Sequence, residues 1–427
     1  MKLLIKGGRL IDPASGRDAL GDVLIEDERV VALDGQARNA GADRSIDATG
    51  LVVAPGLIDI CARLREPGYE YKATLESEMD AAVAGGVTSL ACPPDTDPPL
   101  DEPGLVEMLR RRAKTLARAR VYPIGALTVK LEGEKLTEMA ELSESGCMAF
   151  TQANVPLDDT QVLWRALQYA GTFGFPVWLR AEDLSLAREG VAHDGEVATR
   201  LGLPGIPAFA ETIALGKLLQ LVRATGTSLH VCRISTAGAV DMIRSAKAEK
   251  LPVTCDVGIH HVHLSDMDLG YFDSHCHLVP PLRSPRDRDA LRTGLADGTI
   301  DVICSDHAPV DEDAKQMPFS ESEVGATGLE LLLPLTLQWA RETRLPLARA
   351  LAKVTSDAAR VLGVKSGRLT PGAPADLVIF DPDASFPVTA GNLKSQGKNT
   401  PFIGYELQGR TRYTLVAGNV VFTSSQK

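Results

Sequence analysis

Two spacings of apolar residues divide the chain. At both ends they fall on alternate positions: residues 3 to 12 and 22 to 34 alternate apolar and polar around Gly7-Gly8 and Asp27-Glu28. Ala375–Asp381 and Tyr413–Phe422 repeat that texture, the latter as a hairpin turning at Gly418-Asn419. A period of two buries one face of a strand, so the termini predict short antiparallel strands joined in one small β-sandwich. Between them lie apolar strand candidates: Leu51–Ile60, Thr88–Cys92, Arg120–Ile124, Ala149–Gln152, Pro176–Ala181, Ser228–Ile234, Val253–Val257 and Asp301–Asp306. Helical stretches are predicted among them at Glu102–Arg118, Thr160–Thr172, Ala208–Thr225, Gly238–Lys250 and Pro285–Ala296. Strands alternating with helices in this way read as an α/β fold, a TIM-type (β/α)8 barrel. The turn at Pro371–Pro374 closes it. The expected domains are a barrel over 55–365 and a β-sandwich from 1–54 plus 366–427. Asp311–Thr327, rich in charge and without periodicity, is expected to be a mobile loop over the barrel mouth.

Composition narrows the function classes. The 427 residues, 44% hydrophobic and 24% charged, are ordinary globular usage and suffice for a barrel with a satellite. A formal charge of −11 disfavours nucleic acid or an anionic membrane as the main partner. No segment approaches the ~18 apolar residues of a membrane span, and the N-terminal apolar run is too short for a signal peptide, so a cytoplasmic protein is expected. Seven cysteines without a C-x-x-C pair, most of them in apolar runs, read as reduced thiols packing as small hydrophobes.

The chemistry is expected where barrel strands end, because those residues face the mouth. The first strand runs into Pro55-Gly56-Leu57-Ile58-Asp59-Ile60-Cys61-Ala62-Arg63-Leu64-Arg65-Glu66-Pro67-Gly68. This stretch resembles dihydroorotase of the amidohydrolase superfamily, which reads Pro-Gly-Leu-Ile-Asp-x-His-x-His-Leu-Arg-Glu-Pro-Gly there. Cys61 and Arg63 stand at the two histidine positions. Ala149–Asn154 resembles Ala-Phe-Ser-Asp-Asp-Gly, with Ala153 in place of an aspartate ligand. Trp178–Asp183 resembles a run whose histidine ligand is here Arg180, and His230–Gly238 resembles His-x-x-His-x-Ser-Thr with Arg233 for the second histidine. Only Asp306, in Ser305-Asp306-His307-Ala308-Pro309, keeps the family's metal-binding and proton-shuttling acid. The resemblance covers nearly the whole chain and implies a barrel of the metal-dependent hydrolase type. It maps the family's substrate-carboxylate ligands to Arg65, Asp95 and Val310, and a further polar asparagine to Val279.

Zinc needs ligands with a lone pair to donate, and a guanidinium has none. Arg63, Arg180 and Arg233 therefore place positive charge where a divalent ion would sit, and are expected to neutralise Asp306. The expectation is no catalytic residue, no zinc or other cofactor, and no nucleophile for a cyclic amide. The cluster His260, His261, His263, His275 and His277 could rebuild a metal site with Asp306 or Cys61, but places behind the ligands or on the surface fit these histidines better. Arg65 reads as a structural residue paired with Glu66 or Asp306, and a small anion in the cationic cavity is an alternative. Two function classes follow. One is a non-catalytic subunit: inactive dihydroorotase-like chains of bacteria partner aspartate transcarbamoylase in a hetero-oligomer, a dodecamer in that family, and the resemblance implies that role in pyrimidine biosynthesis. The other is an active cyclic amidohydrolase, dihydroorotase or hydantoinase-like, with a rebuilt metal site.

Overall fold

A computed structural model describes residues 2–39 and 41–424. Its central element is a barrel whose strands run Leu57–Asp59, Val87–Cys92, Arg120–Pro123 continued by Gly125–Ala126, Phe150–Thr151, Val177–Arg180, Leu229–Cys232, Val253–Gly258 and Val302–Cys304. Every neighbouring pair is parallel. The ring closes where the last strand returns to the first: Ala62 bridges His307, and Arg63 N donates to His307 O at 2.9 Å. Parallel strands covered by helices are buried on both faces, which is why most of these sequences are rich in apolar residues and lack a clean alternation. The predicted helices are present as Pro103–Leu116, Thr160–Phe173, Ala208–Thr225, Ala237–Ala248 and Pro285–Asp297. Asp159, Thr236 and Ser284 cap three of them with their side-chain oxygens, satisfying first-turn N–H groups that have no helical partner.

The two ends of the chain build one mixed sheet. Its order is Asn419–Thr423, Glu406–Val416, Leu377–Pro387, Val52–Pro55, Lys2–Asp12, Arg17–Glu26 and Arg29–Leu33, with Arg44–Asp47 also paired to Lys2–Asp12. The hairpin turns at Ala417-Gly418, where both residues have positive φ (49° and 74°), the geometry that joins twisted strands through two residues. A Cβ on Gly418 would stand 2.1 Å from Asp27 O, so this turn admits only glycine.

The apolar run 51–60, expected as one strand, serves two sheets. Val52–Pro55 pairs with the terminal strands and Leu57–Asp59 starts the barrel, with Gly56 between them. Gly56 packs on Thr88, whose side chain occupies the place of a Cβ at 2.2 Å. Asp376 fastens the two units: its backbone oxygen accepts from Gly56 N, and its carboxylate takes Arg120 Nε at 2.8 Å and Ala417 N at 2.8 Å.

Asp311–Thr327, expected as a mobile loop, carries two short helical turns, Glu312–Lys315 and Phe319–Glu321. Asp311 caps the first, and Phe319 is buried against the His277 ring with centroids 4.8 Å apart. A second segment, 388–405, leaves the terminal sheet and crosses to the barrel mouth. Its Asn399 accepts Val310 N at 3.0 Å and donates to Ala308 O and Gly325 O. Among the described residues no helix is long and apolar enough to cross a membrane.

Candidate functional site at the barrel mouth

Asp306 is the centre of the site. It follows the last barrel strand with a left-handed backbone, φ 45°, and Arg65, Ala153 and Arg233 share that region with φ of 61°, 50° and 51°. Such conformations are unfavourable for side-chain-bearing residues and persist where the surrounding fold holds them, often at functional sites. Here they coincide with strand ends turning inward. Asp306 Oδ1 accepts Arg233 Nη1 at 2.9 Å and Arg63 Nη1 at 3.3 Å, and Cys61 Sγ lies 3.7 Å from the same oxygen. Burial would raise the Asp306 carboxyl, but Arg233 and then Arg63 reverse that and hold it below the usual carboxylate range.

The second acid is Asp95, which accepts Arg63 Nε at 2.7 Å. Burial again pushes its carboxyl up and the arginines, Arg63 foremost, bring it below the ordinary value. Arg63 thus joins two carboxylates, and the like charge that Asp95 would present to an anionic substrate is met by that guanidinium. Arg233 also donates Nη2 to Asn154 Oδ1 at 2.7 Å, and its backbone N–H is held by Asp256 at 2.8 Å. Asn154, one residue beyond Ala153, is a site residue outside the sequence expectation; its signal is an asparagine where the resembling family motif has glycine.

Arg180 departs from expectation. It does not reach Asp306: both its Nη atoms bond Glu182, two residues on, and Nη2 also donates to Asn154 O at 2.9 Å. The carboxylate two positions along the same strand end is nearer and captures it. Two arginines, not three, neutralise Asp306. Arg65 also departs: it pairs with neither Glu66 nor Asp306, its Nε donates to Pro309 O at 2.9 Å, and Glu66 is paired with Arg112 instead. Burial, followed by repulsion from Arg63, holds the Arg65 pKa down.

Ala153 is buried against Ala126 and Leu131, so an apolar contact fills the position of the expected aspartate. Val279 contributes its backbone oxygen to Arg233 Nη1 at 3.4 Å, while Val310 is buried and its N–H is taken by Asn399. The remaining space is a cavity of about 90 Å³ lined by Arg63, Arg65, Asp95, Arg233, Asp306 and Glu323 among others. Glu323 is paired with Lys72.

The histidine cluster does not converge. His260 Nε2 faces Thr327 O, His261 Nε2 faces Pro280 O, His263 Nε2 faces Leu335 O, His275 pairs with Asp273, and His277 faces Ser322. Burial lowers His260, His261, His263 and His277 to about 4, so they are neutral near pH 7, each with one ring nitrogen on a backbone oxygen. Among the described residues, the group with metal-ligand proximity is His230, Cys232 and Asp256, whose donor atoms lie within 4.8 Å of one another. There His230 Nε2 bonds Asp256 at 2.8 Å and Nδ1 bonds Thr254 at 2.8 Å, so both ring nitrogens already have partners.

A barrel with a two-ended sheet and its site at the strand ends defines an amidohydrolase-type fold. The L-hydantoinase (dihydropyrimidinase) of Arthrobacter aurescens superposes with a TM-score of 0.90 at 24% identity, over 99% of this chain and 96% of its own. The amidohydrolase family matches residues 191–422, and a dihydro-orotase-like family matches residues 50–239. A dihydroorotase-like protein of Pseudomonas aeruginosa is 44% identical over 420 residues, 98% of this chain and 99% of its own. A protein named dihydroorotase from Syntrophotalea carbinolica is 42% identical over 425 residues, all of both chains. This chain belongs to the dihydroorotase-like proteins of the amidohydrolase family.

Proposed function

We propose that this chain is a non-catalytic dihydroorotase homologue that assembles with aspartate transcarbamoylase and supports pyrimidine biosynthesis as a scaffold. One observation carries the reading: Arg63 and Arg233 both donate to Asp306, at the place where the family resemblance puts a metal ion. A guanidinium cannot ligate a cation, and two of them beside the one retained acid supply the charge that a metal would bring. The residues present therefore do not fit a divalent ion. Without one, no group in the cavity generates a hydroxide near neutral pH, and Cys61 donates toward a carboxylate already engaged by two cations. A barrel kept whole around such a site is explained by surfaces that another protein uses.

The test is co-expression with the aspartate transcarbamoylase chain of the same organism, followed by size-exclusion chromatography and transcarbamoylase assays of each chain alone and together. The expected result is one large species whose activity requires this chain. Separate elution with unchanged activity rejects the reading. A second reading, an active cyclic amidohydrolase, is favoured by the name of the Syntrophotalea carbinolica relative. It requires metal near stoichiometric amounts and turnover of dihydroorotate or a hydantoin. Elemental analysis and those two substrates decide between them, and our expectation is substoichiometric metal and no turnover.

A further inference from the structure

Three segments at the barrel mouth place large apolar side chains in solvent. Tyr271 is 92% exposed, and Met267, Phe272, Met317, Ile403 and Tyr405 are between 40% and 56% exposed. They belong to one surface. Lys315 Nζ donates to Ser274 O at 2.9 Å and Ser274 Oγ donates back to Lys315 O, tying 265–275 to 311–323. Phe402 packs its ring 5.8 Å from His260 and 6.2 Å from His263, and Tyr405 packs 5.4 Å from Phe402, which places 400–406 beside the helical turn Ile259–His263 that leads into the first segment. Phe272 takes the left-handed conformation, φ 68°, so the backbone accepts strain while leaving that ring outside the core. Exposed aromatic and methionine side chains gathered in one place mark an interaction site rather than ordinary surface.

Charge says what covers it. The exposed ionisable residues of these three segments are Asp268, Asp273, Glu312, Asp313, Glu321 and Glu406, and the single lysine, Lys315, is buried. A second copy meeting this surface face to face would set acid against acid, which disfavours a symmetric dimer. We propose that the ridge formed by Met267, Tyr271, Phe272, Met317, Ile403 and Tyr405 docks a basic face of a partner protein that carries apolar side chains between its lysines or arginines. The aromatic ridge supplies the desolvated centre and the acidic rim supplies steering and register. This assignment rests on the scaffold reading above and names the surface it uses.

The probe is the aspartate transcarbamoylase chain of the same organism, titrated against the full-length protein at low and high salt. Three variants are compared, each checked for an unchanged thermal midpoint: Tyr271→Ser with Phe272→Ser, Asp268→Lys with Asp273→Lys, and a control, Phe209→Ser with Ile213→Ser, on an exposed helix face elsewhere. The expected result is wild-type binding for the control, affinity lowered roughly tenfold or more by the aromatic variant, and a loss in the charge-reversal variant that shrinks as salt rises. Wild-type affinity in both ridge variants, or equal loss in the control, overturns the surface and leaves the scaffold reading standing. No binding by the wild-type chain overturns both.

Discussion

At the scale of single residues, the Asp306 cluster sets what a substitution does. Arg233→Leu leaves a buried carboxylate with Arg63 alone at 3.3 Å. Breaking a buried ion pair from one side costs about 3–5 kcal/mol, so urea unfolding should show a loss of that order, and full stability in the variant would refute the neutralising role. Adding Asp306→Asn to Arg233→Leu should recover much of it, because no charge is then stranded. Arg233→His should yield no hydrolysis, since Arg63 still occupies the neighbouring ligand position. The sequence already contained Arg63, Arg233 and Asp306 as a group, because their motifs align with strand ends. It could not separate Arg180 from them: whether a guanidinium turns to a distant acid or to Glu182 two positions on depends on the curvature of a strand end, which no motif encodes. Protonation adds a pH window. Burial holds His263 and His277 near 4 against an ordinary 6.5, so the unfolded chain binds more protons between those values. Stability from these histidines is complete above pH 6.5 and should fall as pH drops from 6.5 toward about 4, then flatten. Unfolding free energy measured from pH 8 to 4 should follow that shape at these sites, and His263→Gln should weaken it.

At the scale of elements, legibility followed the strength of local pattern. The helix Ala208–Thr225 is readable to the residue because apolar residues recur three or four apart from Ala210 through Leu218 to Val222 and the run ends at Gly226, whose φ of 69° stops the helix. The run 51–60 reads as one strand because positions 52–60 are buried throughout, and a period-two signal that would mark the change of sheet disappears when both faces are covered. The mouth segments were least legible. The short turns of 311–327 are stabilised by contacts with distant residues, and the strap 388–405 has no repeating pattern to announce that it will cross to the barrel. Its anchor is Asn399, which meets three backbone groups of 308–325. Asn399→Ala strands those buried groups at about 1–3 kcal/mol, and hydrogen exchange should quicken at the amide of Val310 while the amides of Leu229–Cys232 stay protected. Equal protection at Val310 in the variant would show that the strap is held elsewhere, with Glu330 the next candidate through its bonds to Lys394 N and Ser395 N.

At the scale of the whole molecule, the barrel and terminal sheet are present while the positions that the family resemblance gives to metal ligands carry Cys61, Arg63, Ala153, Arg180 and Arg233. On the scaffold reading fold stability does not depend on a bound metal, and that dependence can be reintroduced. In a variant with Cys61→His, Arg63→His, Ala153→Asp, Arg180→His and Arg233→His, Asp306 loses both cationic partners, so the metal-free protein should unfold at a lower temperature than wild type. A ligand that binds only the folded state stabilises by RT ln(1 + [L]/Kd), about 2.7 kcal/mol at a hundred times Kd. Zinc should therefore raise the thermal midpoint of that variant in a concentration-dependent way and leave wild type unmoved. If wild type responds to zinc as strongly, Arg63 and Arg233 do not occupy the place of the metal, and the cyclic amidohydrolase reading gains the support that the scaffold reading loses. If neither responds, the ligand positions are assigned to the wrong residues, and the left-handed turns at Arg65, Ala153, Arg233 and Asp306 serve only to close the barrel.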